Sequence, residues 1–252
     1  MKKVALITGV LGGIGYATAK VFKDNGWDVI GIDRTNYECS DLIDLFIQSD
    51  ISEAEHISQI FNQIRDNKYS CINCLVNNAA VQVAKSILET SDDEWDLVYK
   101  SNIKAVFMSV KNAHELLKNA NGSIVNVSSV HAFATSKNIS AYATSKSALL
   151  GFTRSLALEF IDDGIRVNCV IPGAVSTNML ADGLLRGQTG NESVETLMDK
   201  LGLRHPIKRV GSPEEIGKLI YFLADNEQSS FITGASFVAD GGALAQLSTE
   251  VY

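Results

Sequence analysis

The stretch Val4-Ala5-Leu6-Ile7-Thr8-Gly9-Val10-Leu11-Gly12-Gly13-Ile14-Gly15 decides how the rest of the chain is read. An aliphatic run closing on Thr8, with no polar residue interrupting it, suits a strand covered on both faces. Glycines then occupy positions 9, 12, 13 and 15, and a helical pattern begins at about Gly13. A strand, a glycine turn and a helix in that order bring backbone N–H groups and the positive end of a helix against a pyrophosphate, with no side chain in the way. The spacing is T-G-x-x-x-G-I-G rather than G-x-G-x-x-G. Glycines in such a turn also serve simply to seat a helix on a sheet, so the rest of the chain has to agree.

Working outward, the same alternation of a short apolar run and a longer helical stretch recurs. Strands are predicted at Val4 to Thr8, Asp28 to Ile32, Asp44 to Ser49, Ile72 to Asn77, Ser123 to Ser128, Ile165 to Val170 and Ser236 to Ala239. Helices are predicted at about 13 to 25, 53 to 67, 92 to 118, 141 to 161 and 213 to 224, with Ser52 and Ser212 as N-terminal cap signals. This is the pattern of an α/β fold, a doubly wound parallel sheet of about seven strands with helices on both faces. No repeat or Pro/Gly/Ser-rich linker interrupts it, so residues 1–252 are expected to form one dinucleotide-binding and catalytic domain. The stretch from about 177 to 210, with glycines at 183, 187, 190 and 202, fits the alternation less well. It is expected to be a mobile insertion at the mouth of a site.

Composition excludes several classes. With 22 Lys and Arg against 29 Asp and Glu the net charge is −7, which argues against a nucleic-acid partner. No apolar stretch is long enough to span a membrane and the N-terminus lacks a signal-peptide pattern, so a cytoplasmic location is expected. Four cysteines at 39, 71, 74 and 169 are too few and too irregular for a disulfide framework. Cys71 and Cys74 have the C-x-x-C spacing, but there is no second such pair, and they are read as small core residues. The four histidines have no metal-ligand spacing, and no metal is expected.

The second strand closes on Asp33, 18 residues beyond Gly15, where a carboxylate can accept from adenosine ribose hydroxyls and would repel a 2′-phosphate. NAD is therefore favoured over NADP, even with Arg34 next door, and no basic residue stands at Gly12. Asp50-Ile51 and Asn77-Asn78-Ala79-Ala80 close the third and fourth strands at the same carboxyl edge, although Asp and Asn are also ordinary turn residues. In Tyr142-Ala143-Thr144-Ser145-Lys146 the spacing of four puts the phenol and the ammonium on one helix face. A cation beside a phenol favours the phenolate, so Lys146 is expected to lower the Tyr142 pKa. Ser129, after the fifth strand, supplies a hydroxyl for a substrate oxygen at the same edge. Y-x-x-x-K alone is common by chance on helices, and its weight comes from this context.

With these elements in order, the chain resembles the short-chain dehydrogenase/reductase family over Lys3 to about Gly242. The resemblance assigns the cofactor turn to Gly9, Gly13, Ile14 and Gly15, the adenine-side acid to Asp50, and N-N-A-G to Asn77-Asn78-Ala79-Ala80. Pro172-Gly173-Ala174-Val175-Ser176-Thr177 matches the family's P-G-x-x-x-T segment, with Val175 and Thr177 meeting the nicotinamide. It implies catalysis by Asn102, Ser129, Tyr142 and Lys146. Tyr142 exchanges the proton, Ser129 orients the substrate oxygen, Lys146 holds the ribose, and Asn102 supports a water-mediated proton path. Three departures stand out: Ala80 for the usual glycine, Leu11-Gly12 for a small polar pair, and His131 where a small residue is usual.

The loop from Ser129 to Tyr142 and the ending Ala239 to Ala243 look similar to sugar dehydrogenases that oxidise the anomeric hydroxyl of aldohexoses. The expected reaction is hydride transfer between NAD(H) and a secondary alcohol or carbonyl, with a sugar as the tentative substrate. The resemblance also implies a homotetramer, with the apolar faces of Phe152 to Phe160 and Ile216 to Leu223 as contacts, and a pocket bounded by the tail Gln246 to Tyr252. The rival readings are a 3-oxoacyl thioester reductase, against which Asp33 speaks, and a non-catalytic nucleotide-sensing regulator, which would ordinarily have lost Tyr142 or Lys146. A serine hydrolase lacks a G-x-S-x-G elbow around Ser129.

Overall fold

Alternation of side chains along β1 (Val4–Thr8) sends Leu6 to one face of the sheet and Ala5 and Ile7 to the other, and each face finds its own helices. The computed structural model describes residues 2–37, 41–186 and 192–247. Cys39, Gly187, Gly190 and the tail beyond Leu247 lie outside the described residues.

The other strands are β2 (Asp28–Asp33), β3 (Leu45–Gln48), β4 (Cys74–Asn77), β5 (Ser123–Val127), β6 (Arg166–Pro172) and β7 (Ser236–Ala239). They form one seven-stranded sheet in the order β3-β2-β1-β4-β5-β6-β7, parallel throughout. This is the doubly wound, Rossmann-type α/β arrangement expected from the sequence. Every residue of β1, β4, β5 and β6 is buried, which is why these runs carry so little polar interruption.

One face packs on α2 (Ala54–Asp66), α4 (Ala105–Lys118) and α5 (Ser140–Glu159), through Ile57, Phe61, Val110, Leu117, Leu149 and Leu156. The other packs on α1 (Gly13–Asp24) and α8 (Pro213–Ala224), through Ala19, Phe22, Ile216, Ile220 and Leu223. Burying each such side chain contributes about 1.5–3 kcal/mol. Ile216, Ile220 and Leu223 are thus buried in the chain's own core, so that within Ile216 to Leu223 the partly buried Leu219, Tyr221 and Phe222 are the apolar side chains left for the expected subunit contact. Side chains available for such contacts are Phe107 on α4 and Leu158 on α5, both exposed.

Ser212 caps α8 in a reciprocal capping box with Glu215, as its sequence predicts. Ser52 does not cap α2. The N-cap there is Glu53, without a side-chain bond, and the Ser52 N–H instead donates to Asp50 Oδ1 at 2.9 Å. The single helix expected over 92 to 118 is α3 (Asp92–Tyr99), a π-helical turn over Lys100–Lys104, and α4. Its start is a capping box of Ser91 with Glu94. The poorly patterned 177 to 210 region contains two helices, α6 (Asn178–Arg186) and α7 (Val194–Gly202), and a short α9 (Asn226–Ser229) follows α8.

The strand order reverses between β1 and β4. Chain leaving β1 crosses toward β2 and chain leaving β4 toward β5, so a crevice opens at their carboxyl ends.

Candidate active site

The crevice is the mouth of a cavity of about 820 Å³, large enough for a dinucleotide-sized ligand. Gly9, Gly13 and Ile14 line it from the first turn, Asp33 from β2, and Asp50 and Ile51 from the end of β3. Asn78 and Ala79 follow β4, Ser129 follows β5, and Pro172, Gly173, Val175 and Thr177 extend β6. Tyr142 and Lys146 complete the wall from α5. Two of the residues singled out in the sequence stand behind that wall: Gly15 and Asn102 are not on the cavity surface.

The turn after β1 is built for close approach. Gly9 adopts φ +64°, and a Cβ there would lie 2.8 Å from the Ala79 Cα. A Cβ on Gly13 would lie 2.7 Å from Thr177 Cγ2, so the P-G-x-x-x-T segment sits directly on the N-terminus of α1. That segment is pinned from the far side, where Ser176 N–H donates to Gly211 O and Gly211 N–H to Ala174 O, both at 2.9 Å. The N-cap of α1 is Gly12, with no side-chain cap and no acidic residue in the first turn. The orphan N–H groups of this helix therefore meet the cavity with nothing on the protein to satisfy or repel them, which fits a pyrophosphate.

Gly15 serves packing instead. A Cβ there would lie 2.1 Å from the Gly9 carbonyl oxygen and 2.9 Å from Asn78 Nδ2. Asn78 ties the same turn from beneath, donating through Nδ2 to Thr8 O and Gly9 O at 3.0 Å each. Gly15→Ala is expected to destabilise the fold by at least about 2 kcal/mol, because backbone must move to admit the methyl group. NADH affinity should fall with it. A melting curve and a binding isotherm that both match the wild type would contradict this.

At the adenosine side, Asp33 Oδ2 accepts from Leu11 N–H and Oδ1 from Thr35 N–H, each at 3.1 Å. The carboxylate both caps its turn and faces the cavity. Burial pushes the Asp50 carboxyl up, but the Ser52 hydrogen bonds, helped by Arg34 and His56, bring it below its ordinary value. It is anionic near neutrality.

At the other side, Lys146 Nζ donates to Val127 O at 2.7 Å and lies 5.6 Å from the centre of the Tyr142 ring. The neighbouring Ser129 hydroxyl draws the phenol pKa down, yet burial outweighs it and holds the phenol above its ordinary 10. Burial likewise pushes the Lys146 ammonium down to about 8. The expected lowering of Tyr142 by Lys146 is therefore not a property of the chain alone, because in this dry corner each group loses more solvation than the other returns. His131 stands edge-on to Tyr142, with ring centres 6.0 Å apart, and its Nδ1 pairs with Thr135 Oγ1 at 3.2 Å. Burial lowers its pKa and leaves it neutral.

Asn102 is 1% exposed, so its amide acts through neighbours. Its Oδ1 accepts from Val81 N–H at 2.9 Å, and its Nδ2 donates to Val81 O and to Ser145 Oγ, each at 3.0 Å. Ser145 Oγ in turn donates to Tyr142 O at 2.7 Å. Asn102 thus couples the loop after β4 to the turn of α5 that carries Tyr142. The π-helical turn that aims it there has no signature in a one-residue motif.

Cys74 is fully buried with its thiol pushed up to about 12 by burial, and Cys71, half-buried, is also free, in keeping with the core reading of that pair. Among the described residues no helix is long and apolar enough to cross a membrane, and no group of three His, Cys, Asp or Glu is arranged to hold a metal ion. Cavity residues that the sequence did not single out include Leu97, Lys137, Leu180 and Arg186. They belong to loops and to α6, where no spacing announces a function.

Known proteins carry the same arrangement. A family model described as enoyl-(acyl carrier protein) reductase matches residues 9–243. The meso-2,3-butanediol dehydrogenase of Serratia marcescens is 32% identical over 250 residues, covering 96% of this chain and 95% of that protein. The ligand-free aldohexose dehydrogenase of Thermoplasma acidophilum superposes with a TM-score of 0.92 at 31% identity, over 100% of this chain and 97% of the other. A 4-hydroxyisoleucine dehydrogenase complexed with NADH gives 0.86 at 30% identity, over 98% and 100%. The chain belongs to the short-chain dehydrogenase/reductase family and is an oxidoreductase acting on CH–OH groups.

Proposed function

We propose that this chain is an NAD-dependent dehydrogenase of a small secondary alcohol, the anomeric hydroxyl of an aldose, working with Ser129, Tyr142 and Lys146 as its reacting groups. The observation that carries this reading is their convergence on one cavity wall, with Lys146 Nζ 5.6 Å from the centre of the Tyr142 ring. NAD⁺, when bound, would supply the hydride acceptor and a positively charged ring. The Tyr142 phenolate takes the proton of the substrate hydroxyl, Ser129 donates to the same oxygen, and Lys146 donates to the ribose and holds charge beside the phenolate. Asn102 is a positioning residue that acts through Ser145 and Val81. Gly9, Gly13 and Ile14 hold the pyrophosphate, Asp50, Ile51, Asn78 and Ala79 the adenosine half, and Pro172, Gly173, Val175 and Thr177 the nicotinamide.

NAD rather than NADP is supported by the Asp33 carboxylate on the cavity wall, which would repel a 2′-phosphate. The NADH complex of the 4-hydroxyisoleucine dehydrogenase agrees with it. The Asp33→Asn variant, which keeps an oxygen for the turn but removes the charge, is expected to narrow the NAD over NADP ratio in kcat/KM by about tenfold. An unchanged ratio would mean that Asp33 does not face the ribose. The same carboxylate weighs against an NADPH-dependent thioester reductase.

The aldose is supported by the superposition on the aldohexose dehydrogenase and by neutral His131 beside Tyr142, which can pair with a hydroxyl. Exposed Phe107 and Leu158 support a homotetramer built on α4 and α5. Sedimentation should give the mass of four chains, and the mass of one chain would contradict it.

A further inference from the structure

The cavity has two electrically different ends. Its only carboxylates among the described residues are Asp33 and Asp50, and both belong to the end fixed by β2 and β3, where Arg34 is the one cation beside them. At the end where Ser129 and Tyr142 stand, two further cations line the wall from different elements. Lys137 comes from the loop leading into α5, and Arg186 from the last turn of α6. Neither forms an ion pair with a described carboxylate.

Arg186 is oriented by one bond, from Nε to Asp182 O at 3.0 Å, which engages one of its five N–H donors. A chain of net charge −7 has no general excess of positive charge to scatter here. Apolar residues, including Ile139, Leu180 and Leu184, line the same cavity. In a cleft with low-dielectric walls, two cations and no carboxylate focus a positive potential on whatever enters.

We propose that the substrate is an anion: a small hydroxylated molecule bearing a carboxylate or a phosphate away from the oxidised carbon, taken between Lys137 and Arg186. This rests on the dehydrogenase reading above and narrows its substrate class, and a sugar acid or a sugar phosphate satisfies both. Charge-assisted bonds to the far group fix which hydroxyl reaches Tyr142.

The test is steady-state kinetics on compounds matched in skeleton and differing in one terminal group: glucose, glucuronate and glucose 6-phosphate, and 1,3-butanediol with 3-hydroxybutyrate. An acidic member should exceed its neutral counterpart in kcat/KM by at least about tenfold, and added salt should shrink the margin. Which acid leads separates carboxylate from phosphate. In Lys137→Ala/Arg186→Ala the acid-to-neutral ratio should fall toward one, and in Lys137→Glu it should invert.

Neutral members turned over as well as acids would overturn the proposal and leave the dehydrogenase reading standing. A double variant that loses NADH affinity while keeping the ratio would overturn it too, placing the cations on the cofactor. If no compound turns over, fluorescence titration of the NADH complex with the same set still decides. Acids binding at least about tenfold more tightly than neutral partners support the proposal, and equal binding overturns it.

Discussion

Tyr142→Phe is expected to lower kcat by roughly 10³-fold while leaving NADH affinity within a factor of about two, because the ring stays and only the proton acceptor goes. Tyr142 is 7% exposed, so phenylalanine keeps its packing and only the phenol oxygen near Ser129 is lost. The pH profile carries a second signature. Burial holds the phenol above its ordinary 10, so without cofactor the phenolate is a minor form at neutral pH and grows as pH rises. Alcohol oxidation needs the phenolate and should therefore increase with pH, whereas carbonyl reduction needs the phenol and should not. Residual activity in the variant should lose this slope. A variant that keeps substantial turnover and the wild-type profile would take the proton from Tyr142 and give it to another group.

Lys146→Met carries the second large effect. Loss of the ammonium removes a charge beside the phenolate and a donor to the ribose, so kcat/KM should fall by about 10²-fold and NADH should bind about tenfold more weakly. Stability should move the other way. A folded-state pKa of about 8 against an ordinary 10.5 means that burying this ammonium costs about 3 kcal/mol near neutrality. The cost is fully present below pH 8 and disappears as pH rises to 10.5, because there the folded chain releases the proton that the unfolded chain keeps. The variant escapes that cost but leaves Val127 O without its donor, worth about 1 kcal/mol. It should therefore unfold at higher denaturant than the wild type at pH 7, and the gap should narrow toward pH 10. Equal stability at every pH, with unchanged cofactor affinity, would contradict both the burial and the ribose role.

The same physics explains what could be read from the chain before its fold was known. Seven strands were legible because a parallel sheet covered on both faces demands short, largely apolar runs such as Val4 to Thr8. The cavity wall was legible where chemistry needs a residue type at a fixed spacing, as in Gly9 to Gly13 or Tyr142 to Lys146. Gly15 was legible as a required glycine but not for its reason, since the approach of Gly9 O to its missing Cβ is a tertiary fact.

Asn102 was legible as a motif residue, whereas its side-chain bonds to Val81 and Ser145 follow from a π-helical turn whose residues Lys100–Lys104 look like ordinary helix formers. In the chain alone burial raises the Tyr142 pKa, a contribution that charge proximity read from a sequence does not count, whereas the lowering expected beside Lys146 and NAD⁺ belongs to the complex. Lys137 and Arg186 carried no signal at all, for a surface cation becomes a ligand-facing one only when two distant segments close on one cavity.

The most direct test of the central claim is the absorbance of NADH formed by the purified chain with NAD⁺ over a panel of aldoses, sugar acids, polyols, hydroxy acids and secondary alcohols, repeated with NADP⁺. Turnover of at least one hydroxylated compound is expected, faster with NAD⁺ than with NADP⁺. A chain that binds NADH tightly yet reduces no NAD⁺ with any of them would contradict it, and would make this cavity a nucleotide sensor in place of an active site.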